Sequence, residues 1–340
     1  MLNVGRDRAY FGWLARKRRC GQLAGQRWAG RSFRMAEHAT ITEVGPRDGL
    51  QISQGRMPTA TKIGWIAAMA AAGVSRIEVG SFVPPKLIPQ MADTAEVVAA
   101  TRGIAGLTVV ALAPNLRGAQ AAHAAGAAVI TVPVSVSESH SRSNLGKSVA
   151  EQVAEVGRIV DWVRSQAPRM RVEATASTAF GCSMEGVVPL ADVVRVAEGL
   201  AAAGADAVSL ADTVGYGHPA LIRATVRAVR AAIGETLTIL HLHDTMGLAI
   251  ANALAGLEEG IRAFDGALAG LGGCPFAPGA SGNVATEDLV FMLESMGFST
   301  GIDLDLLIAS RSLLREGLPA EKLRGQVALA GVPKTFRRAA

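Results

Sequence analysis

Two histidines spaced two apart carry the strongest chemical signal in this chain: His241-Leu242-His243-Asp244, at the end of the apolar run 237–243. On an extended strand, residues i and i+2 share a face, so both imidazoles face one way while Leu240 and Leu242 face the other. Two neutral imidazoles about 6–7 Å apart along a strand can share one divalent ion; the alternative is a hydrogen-bonded pair of core histidines. Arg47 and Asp48 follow the first apolar run in Gly45-Pro46-Arg47-Asp48-Gly49. A carboxylate there is a hard ligand that would complete a mixed N/O site for Mg²⁺ or Mn²⁺, and the guanidinium beside it could stabilise an oxyanion. An Arg–Asp pair in a surface turn is the plainer alternative. Glu78 stands among apolar strand residues in Ile77-Glu78-Val79. It must face the interior and find a partner, either Arg47 or a metal-bound water. Asp212 is either a helix cap or a carboxylate that orients a ligand. Cys274 lies in a fourteen-residue stretch, 270–283, with five glycines and two prolines. A thiol on such a loop is a proton carrier if a cation lowers its pKa, and an incidental cysteine otherwise. Asn283 closes the stretch and offers an amide oxygen as a further neutral ligand.

These residues need a scaffold that brings chain ends together. Past Met35, β-branched runs at 39–45, 75–81, 107–112, 128–133, 170–176, 206–211, 237–243 and 264–269 read as strands. Ala-rich stretches with helical spacing lie near 59–72, 115–125, 148–167, 187–203, 217–233, 247–261 and 285–297. Eight strand–helix repeats over roughly 250 residues predict an α/β fold, a (β/α)8 TIM barrel. An open doubly wound sheet is the competitor, but it usually has fewer strands and an early Gly-rich phosphate turn, which is missing here. In a barrel, functional side chains gather at the C-terminal strand ends, which is where the residues above fall. Asp244 and Thr245 are expected to cap the following helix. A helix pair at about 303–325 should pack outside the barrel, and the polar segment "SVSESHSRSNLGKS" after the fourth strand reads as a loop.

The bulk chemistry fits. The chain has 340 residues, 49% apolar and 19% charged, with 4% aromatic, so the core must be Ala, Val, Leu and Ile. Residues 1–34 hold nine of the 34 Lys and Arg and one acid, which leaves 25 basic residues against 28 acidic ones in the rest. The net charge of +5 therefore belongs to a leader, read as a disordered basic arm, a targeting peptide or a mis-annotated start before Met35. The catalytic domain is 35–340. No basic face in the body suggests nucleic acid. No stretch reads as a membrane span; the longest charge-free run, 118–137, is broken by Gln, His, Ser and a central proline. Three cysteines are too few and odd for a disulfide framework and suit a reducing compartment, so a cytoplasmic location is expected, with organelle targeting left open by the leader.

The segments "EVGPRDGLQ", "IEVGSFVPPKLIPQMAD", "HLHDTMG" and "AGLGGCPFAPGASGNVATEDLVFML" resemble the 3-hydroxy-3-methylglutaryl-CoA lyase family over about 41–306. The first and third are shared with a wider group of metal-dependent barrels, including Claisen-type synthases and carboxyltransferase domains. The cysteine loop is the specific element. The resemblance implies that Asp48, His241, His243 and Asn283 hold Mg²⁺ or Mn²⁺. It implies that Arg47 stabilises an enolate oxygen, that Cys274 transfers a proton, and that Glu78 and Asp212 hold the network. Arg47, Gln51 and Asn144 are expected to touch the substrate, with Arg142 and Lys147 as candidates for the CoA phosphates. The implied reaction splits 3-hydroxy-3-methylglutaryl-CoA into acetyl-CoA and acetoacetate, a step of leucine degradation and ketone-body formation. Alternatives are a related 3-hydroxy-3-alkylglutaryl-CoA or citramalyl-CoA as substrate, or a Claisen-type acyltransferase. A homodimer is the default assembly. Two positions depart from the family: Gln54 stands where lysine is usual, which puts rate or substrate identity in question, and Cys182-Ser183 stands where proline often follows the cysteine.

Overall fold

The computed structural model describes residues 37–273 and 282–339; the leader 1–34 and Cys274 lie outside the described residues. Eight parallel strands close into a barrel in sequence order. They are β1 Thr40–Glu43, β2 Arg76–Ser81, β3 Thr108–Leu112, β4 Val129–Ser135, β5 Arg171–Ser177, β6 Ala207–Asp212, β7 Leu237–Leu242 and β8 Ala263–Gly266. Every strand lies within a few residues of its predicted run, because β-branched residues in short apolar runs suit a strand buried on both faces.

Helices Thr59–Ala71, Leu116–Ala125, Val149–Gln166, Leu190–Ala202, Pro219–Ile233, Ala249–Glu258 and Thr286–Ser295 match their predicted stretches. Besides the short helix Gln326–Ala330, two further helices depart from the reading. Thr94–Thr101 is a helix the pattern does not reveal, because it is short and follows Pro84, Pro85 and Pro89. Its flanking Asp93 does not cap it; the carboxylate instead takes Lys62 Nζ at 2.7 Å and Thr59 Oγ1 at 2.7 Å. The segment read as a polar loop contains the helix Glu138–Leu145, opened by Ser137 Oγ accepting from His140 N at 3.2 Å and closed by Gly146 at φ 66°. It lacks an apolar stripe, so only its caps announce it. The outer pair falls at Leu304–Ala309 and Arg311–Gly317. A short two-stranded sheet pairs Glu37–His38 with Phe298–Ser299.

With few aromatic rings, the layer between strands and helices depends on close approach. Leu240 and Leu242 of β7 are buried in it. Gly256 lets the helix Ala249–Glu258 settle onto that strand; a Cβ there would lie 2.3 Å from Leu240 Cδ1. Burying these side chains outward leaves the alternate residues of β7, Ile239 and His241, to face the barrel interior.

Candidate metal centre and active site

The turn after β1 presents Arg47 and Asp48. The amides of Arg47, Asp48 and Gly49 all point at the Val44 carbonyl, at 3.1, 2.7 and 3.4 Å, winding Gly45–Gly49 into a single π-helical turn. That turn is anchored from behind by Glu43, which is fully buried. Its carboxylate accepts from Gly45 N at 2.8 Å, Leu268 N at 2.9 and 3.0 Å, and Thr286 Oγ1 at 2.5 Å. Burial pushes the Glu43 carboxyl up to about 7, with the neighbouring Glu287 charge adding to the effect. Sequence reasoning missed Glu43, although a lone acid ending an apolar strand is the same signal that singled out Glu78.

Arg47 is a buried-site residue rather than half of a surface pair. Its Nε donates to Glu78 Oε2 at 2.5 Å and its Nη1 to Asp48 Oδ1 at 2.5 Å. Glu78 also accepts from Thr131 Oγ1. Burial opposes the Arg47 charge, but Glu78 and Asp48 outweigh it and raise its pKa. Burial alone would raise Asp48, yet the Arg47 guanidinium and then His243 and His241 hold its carboxyl well below the usual carboxylate range.

The two imidazoles come together on one face, as their i, i+2 spacing predicts. His241 Nε2 and His243 Nε2 lie 3.0 Å apart. Asp48 Oδ2 is 3.4 Å from His243 Nε2 and 3.9 Å from His241 Nε2. β7 itself ends at Leu242; beyond it the chain 282–284 folds back against the strand end. Asp244 N donates to Gly282 O at 3.0 Å and Val284 N to Leu242 O at 3.0 Å, and His243 and Asn283 form a bridge pair. This clasp places the Asn283 amide in the cluster, with Nδ2 2.7 Å from Asp48 Oδ2 and 3.1 Å from Leu271 O. Asp244 then accepts from Ala249 N at 2.9 Å, tying the clasp to the next helix, but neither Asp244 nor Thr245 is its cap: the N-cap is Leu248, without a side-chain cap bond, and the buried Thr245 hydroxyl has no partner among the described residues.

The donor set fits a divalent cation. Asp48, His241 and His243 offer ligand atoms all within 4.8 Å of one another. Ligands around an octahedral ion at ~2.1 Å sit about 3 Å apart, which is the spacing these atoms approach. Two buried polar atoms, His243 Nδ1 and Asn283 Oδ1, have no partner among the described residues, although buried polar atoms ordinarily do. Gly272, at φ +112°, keeps the roof low: a Cβ there would lie 2.7 Å from Asn283 Nδ2.

The remaining predicted residues divide. Gln51 and Asn144 line the cavity at the barrel mouth together with Arg47, Asp48, Glu78, His241 and His243. Gly273, the residue before Cys274, lines it too. Asp212 does not line it: its carboxylate accepts from Tyr216 N and Gly217 N, each at 2.9 Å, and holds the turn after β6. Burial raises the Asp212 carboxyl, and those two amides partly offset that. Gln54 is exposed and lies off the cavity. Arg142 and Lys147 pair with Glu138 at 2.7 Å and Glu155 at 3.0 Å. Cys182 is buried and accepts from Met184 N at 3.4 Å, a packing role. The reading also missed an interior polar layer below the mouth, where Asp265 faces His241 and Arg76 pairs with Glu173.

Comparison with known proteins agrees with this geometry. The family described as HMGL-like matches residues 38–314. A hydroxymethylglutaryl-CoA lyase of Bacillus subtilis is 41% identical over 279 residues, 82% of this chain and 92% of its own length. The mouse mitochondrial hydroxymethylglutaryl-CoA lyase is 40% identical over 284 residues, 84% of this chain and 87% of its own. Among solved structures, an HMG-CoA lyase from Acinetobacter baumannii in complex with coenzyme A and 3-methylmalate superposes with a TM-score of 0.82 at 40% identity, covering 88% of this chain and 97% of that one. With a family match over most of the barrel and full-length relatives at this identity, the chain belongs to the HMGL-like family, the hydroxymethylglutaryl-CoA lyases.

Proposed function

We propose that this chain is a divalent-metal-dependent carbon–carbon lyase that cleaves 3-hydroxy-3-methylglutaryl-CoA into acetyl-CoA and acetoacetate. The observation that carries the reading is the convergence of two imidazole nitrogens, the Asp48 carboxylate and the Asn283 amide beside Arg47, inside a chain of this family. Asp48, His241, His243 and Asn283 would hold Mg²⁺ or Mn²⁺. When bound, the cation supplies Lewis acidity that lowers the pKa of the substrate's tertiary hydroxyl.

Transfer of the hydroxyl proton to solvent water lets its electron pair form the ketone of acetoacetate while the adjacent C–C bond breaks toward the thioester. The negative charge then rests on the thioester enolate oxygen, where Arg47 is poised with its guanidinium held by Glu78 and Asp48. Cys274 is the proposed donor of the proton that turns the enolate into acetyl-CoA. Gln51 and Asn144 would contact the substrate from the cavity wall. Glu78 keeps Arg47 aimed, and Asp212 acts at a distance, by holding the turn after the neighbouring strand. Gln54 gives no reason to prefer a bulkier substrate, since it does not line the cavity.

We also propose a homodimer and a cytoplasmic location; among the described residues no helix is long and apolar enough to cross a membrane. The deciding assay incubates the protein with Mg²⁺ and 3-hydroxy-3-methylglutaryl-CoA and follows acetoacetate. Release that EDTA abolishes and Cys274→Ala strongly reduces supports the proposal. Rapid turnover only of a bulkier or citramalyl thioester moves the substrate, and no turnover of either kind removes the reading.

A further inference from the structure

The two histidines are not held alike. His243 is fixed by the backbone clasp with Asn283, and its Nδ1 has no partner among the described residues. His241 instead has a carboxylate behind it: Nδ1 lies 3.1 Å from Asp265 Oδ2. Asp265 is on β8, directly across from His241 in the strand pairing and next to Thr42 on the other side. It is the barrel interior, not a loop, that sets this contact.

A structural role alone explains Asp265 poorly. Asp265 is half-buried and lines the cavity, whereas the buried acids around it are saturated: Glu43 by two backbone amides and a hydroxyl, Asp212 by two amides, Glu78 by Arg47 and Thr131. The nearby guanidiniums are engaged elsewhere, Arg76 with Glu173 and with Thr42 Oγ1 at 3.0 Å, and Arg47 with Glu78 and Asp48. Among the described residues, His241 Nδ1 is the only hydrogen-bond or ion-pair partner of Asp265. A carboxylate brought into a barrel and given one partner is there for that partner.

We propose that Asp265 is the positioning residue of the metal centre, accepting a hydrogen bond from His241 Nδ1–H. That bond selects the tautomer whose Nε2 carries a lone pair, and aims it at the point where His243 Nε2 and Asp48 Oδ2 converge. Without the acceptor, His241 is free to carry its proton on Nε2, where it would occupy the ligand position. The inference rests on the metal-centre reading above.

The test uses the full chain, stripped of metal, with Mn²⁺ alone as probe and free Mn²⁺ followed by electron paramagnetic resonance. Asp265→Leu keeps the shape of the side chain and removes the acceptor; Asp265→Ala removes it without adding apolar bulk. Both should weaken Mn²⁺ binding about 10–100-fold. Asp265→Asn retains an amide oxygen that can accept and should recover most of the loss. Ring-nitrogen NMR of ¹⁵N-histidine-labelled, metal-free protein should show His241 protonated on Nδ1 in the wild type and shifted toward Nε2 in the Leu and Ala variants. Wild-type Mn²⁺ affinity in the Leu or Ala variant, or an unchanged His241 signature, overturns the proposal. His243→Ala serves as the control. If it loses Mn²⁺ while Asp265→Leu does not, only this inference falls; if it binds Mn²⁺ as the wild type does, the metal centre falls with it.

Discussion

Two buried polar clusters, close together along the chain, are built on opposite plans. The first joins Glu43, Thr286, Glu287 and Arg311. Glu43 is saturated by donors, Glu287 Oε2 accepts from Ala269 N at 3.0 Å, and Glu287 Oε1 pairs with Arg311 Nη1. The bond from Ala269 N to Glu287 holds Ala269 at φ 63°, a left-handed conformation that a non-glycine residue adopts only under constraint. The second cluster is Asp48, His241, His243 and Asn283, five residues after Glu43 and four before Glu287 at its nearest members. Here two ring nitrogens face each other at 3.0 Å and two buried polar atoms have no partner among the described residues. A cluster closed on itself supports the scaffold. A cluster left open is complete only with something the described residues do not supply.

The comparison breaks if the two clusters respond alike to truncation. The largest effect is expected in the open one: His243→Ala should lose the cation and at least about 10³-fold in kcat/KM, since a Lewis acid supplies several kcal/mol of the barrier reduction. Unfolding of the metal-free variant by urea should stay within about 1–2 kcal/mol of wild type, because His243 Nδ1 has no partner among the described residues and its Nε2 meets only His241 and Asp48, the other candidate ligands. Arg47→Met should cost about 10²–10³-fold in kcat, the value of one oxyanion donor, with Mn²⁺ affinity retained. The closed cluster should behave in reverse. Arg311→Met leaves Glu287 buried and unpaired and should destabilise by about 3–5 kcal/mol in urea titration. The fraction still folded should bind Mn²⁺ normally. A stable Arg311→Met protein that loses metal would put both clusters in one functional unit.

The pH dependence sharpens the same contrast. Glu43 is raised from 4.5 to about 7 by burial, so the folded state holds its proton more tightly than the unfolded chain does. Its contribution is fully present below about pH 4.5 and is lost as pH rises toward 7. At ~1.4 kcal/mol per pH unit across that window, the wild type should lose about 3 kcal/mol relative to Glu43→Gln. The glutamine is compatible with the site: its oxygen can accept from Gly45 N and Leu268 N, and its NH₂ can donate to the Thr286 hydroxyl. Equal pH profiles for the two proteins, read by denaturant midpoints, would mean that Glu43 is ionised in the fold.

What the sequence revealed follows the same division. The barrel was legible because strands buried on both faces are short apolar runs, and the His241/His243 pair was legible because two polar residues in register at a strand end break that pattern together. Asp48 and Asn283 were found as types that ligate, and the fold put them within reach. Asp212 could be read as cap or ligand holder, and only the Tyr216 and Gly217 amides show how its oxygens are used. Glu43 and Asp265 were passed over although each is an acid inside an apolar run. Their partners, Leu268, Thr286 and His241, lie 24 or more residues away, and nothing local marks which acid will meet which donor. The helix Thr94–Thr101 was hidden for a different reason: it is short and follows Pro84, Pro85 and Pro89, so too few apolar repeats remain to show a helical period.

The smallest expected effect concerns a third kind of polar group, one that is paired and exposed. Arg142 sits in the helix Glu138–Leu145 and bonds Glu138 four residues back at 2.7 Å, with 64% of its side chain in solvent. Such a pair is worth little, so Arg142→Ala should shift stability by less than about 0.5 kcal/mol. Because the pair is cheap to break, the guanidinium is available to an incoming phosphate in a way the buried Arg47 and Arg311 are not. The expected signature is a KM for the CoA thioester raised about 2–5-fold at low salt with kcat unchanged, fading as added salt screens the contact. A kcat effect would instead place Arg142 in the chemistry with Arg47. An unchanged KM at every salt concentration would leave it a surface ion pair, and would shift the search for the phosphate contact to Lys147, whose ammonium is held by the less exposed Glu155 at 3.0 Å and should release it less readily.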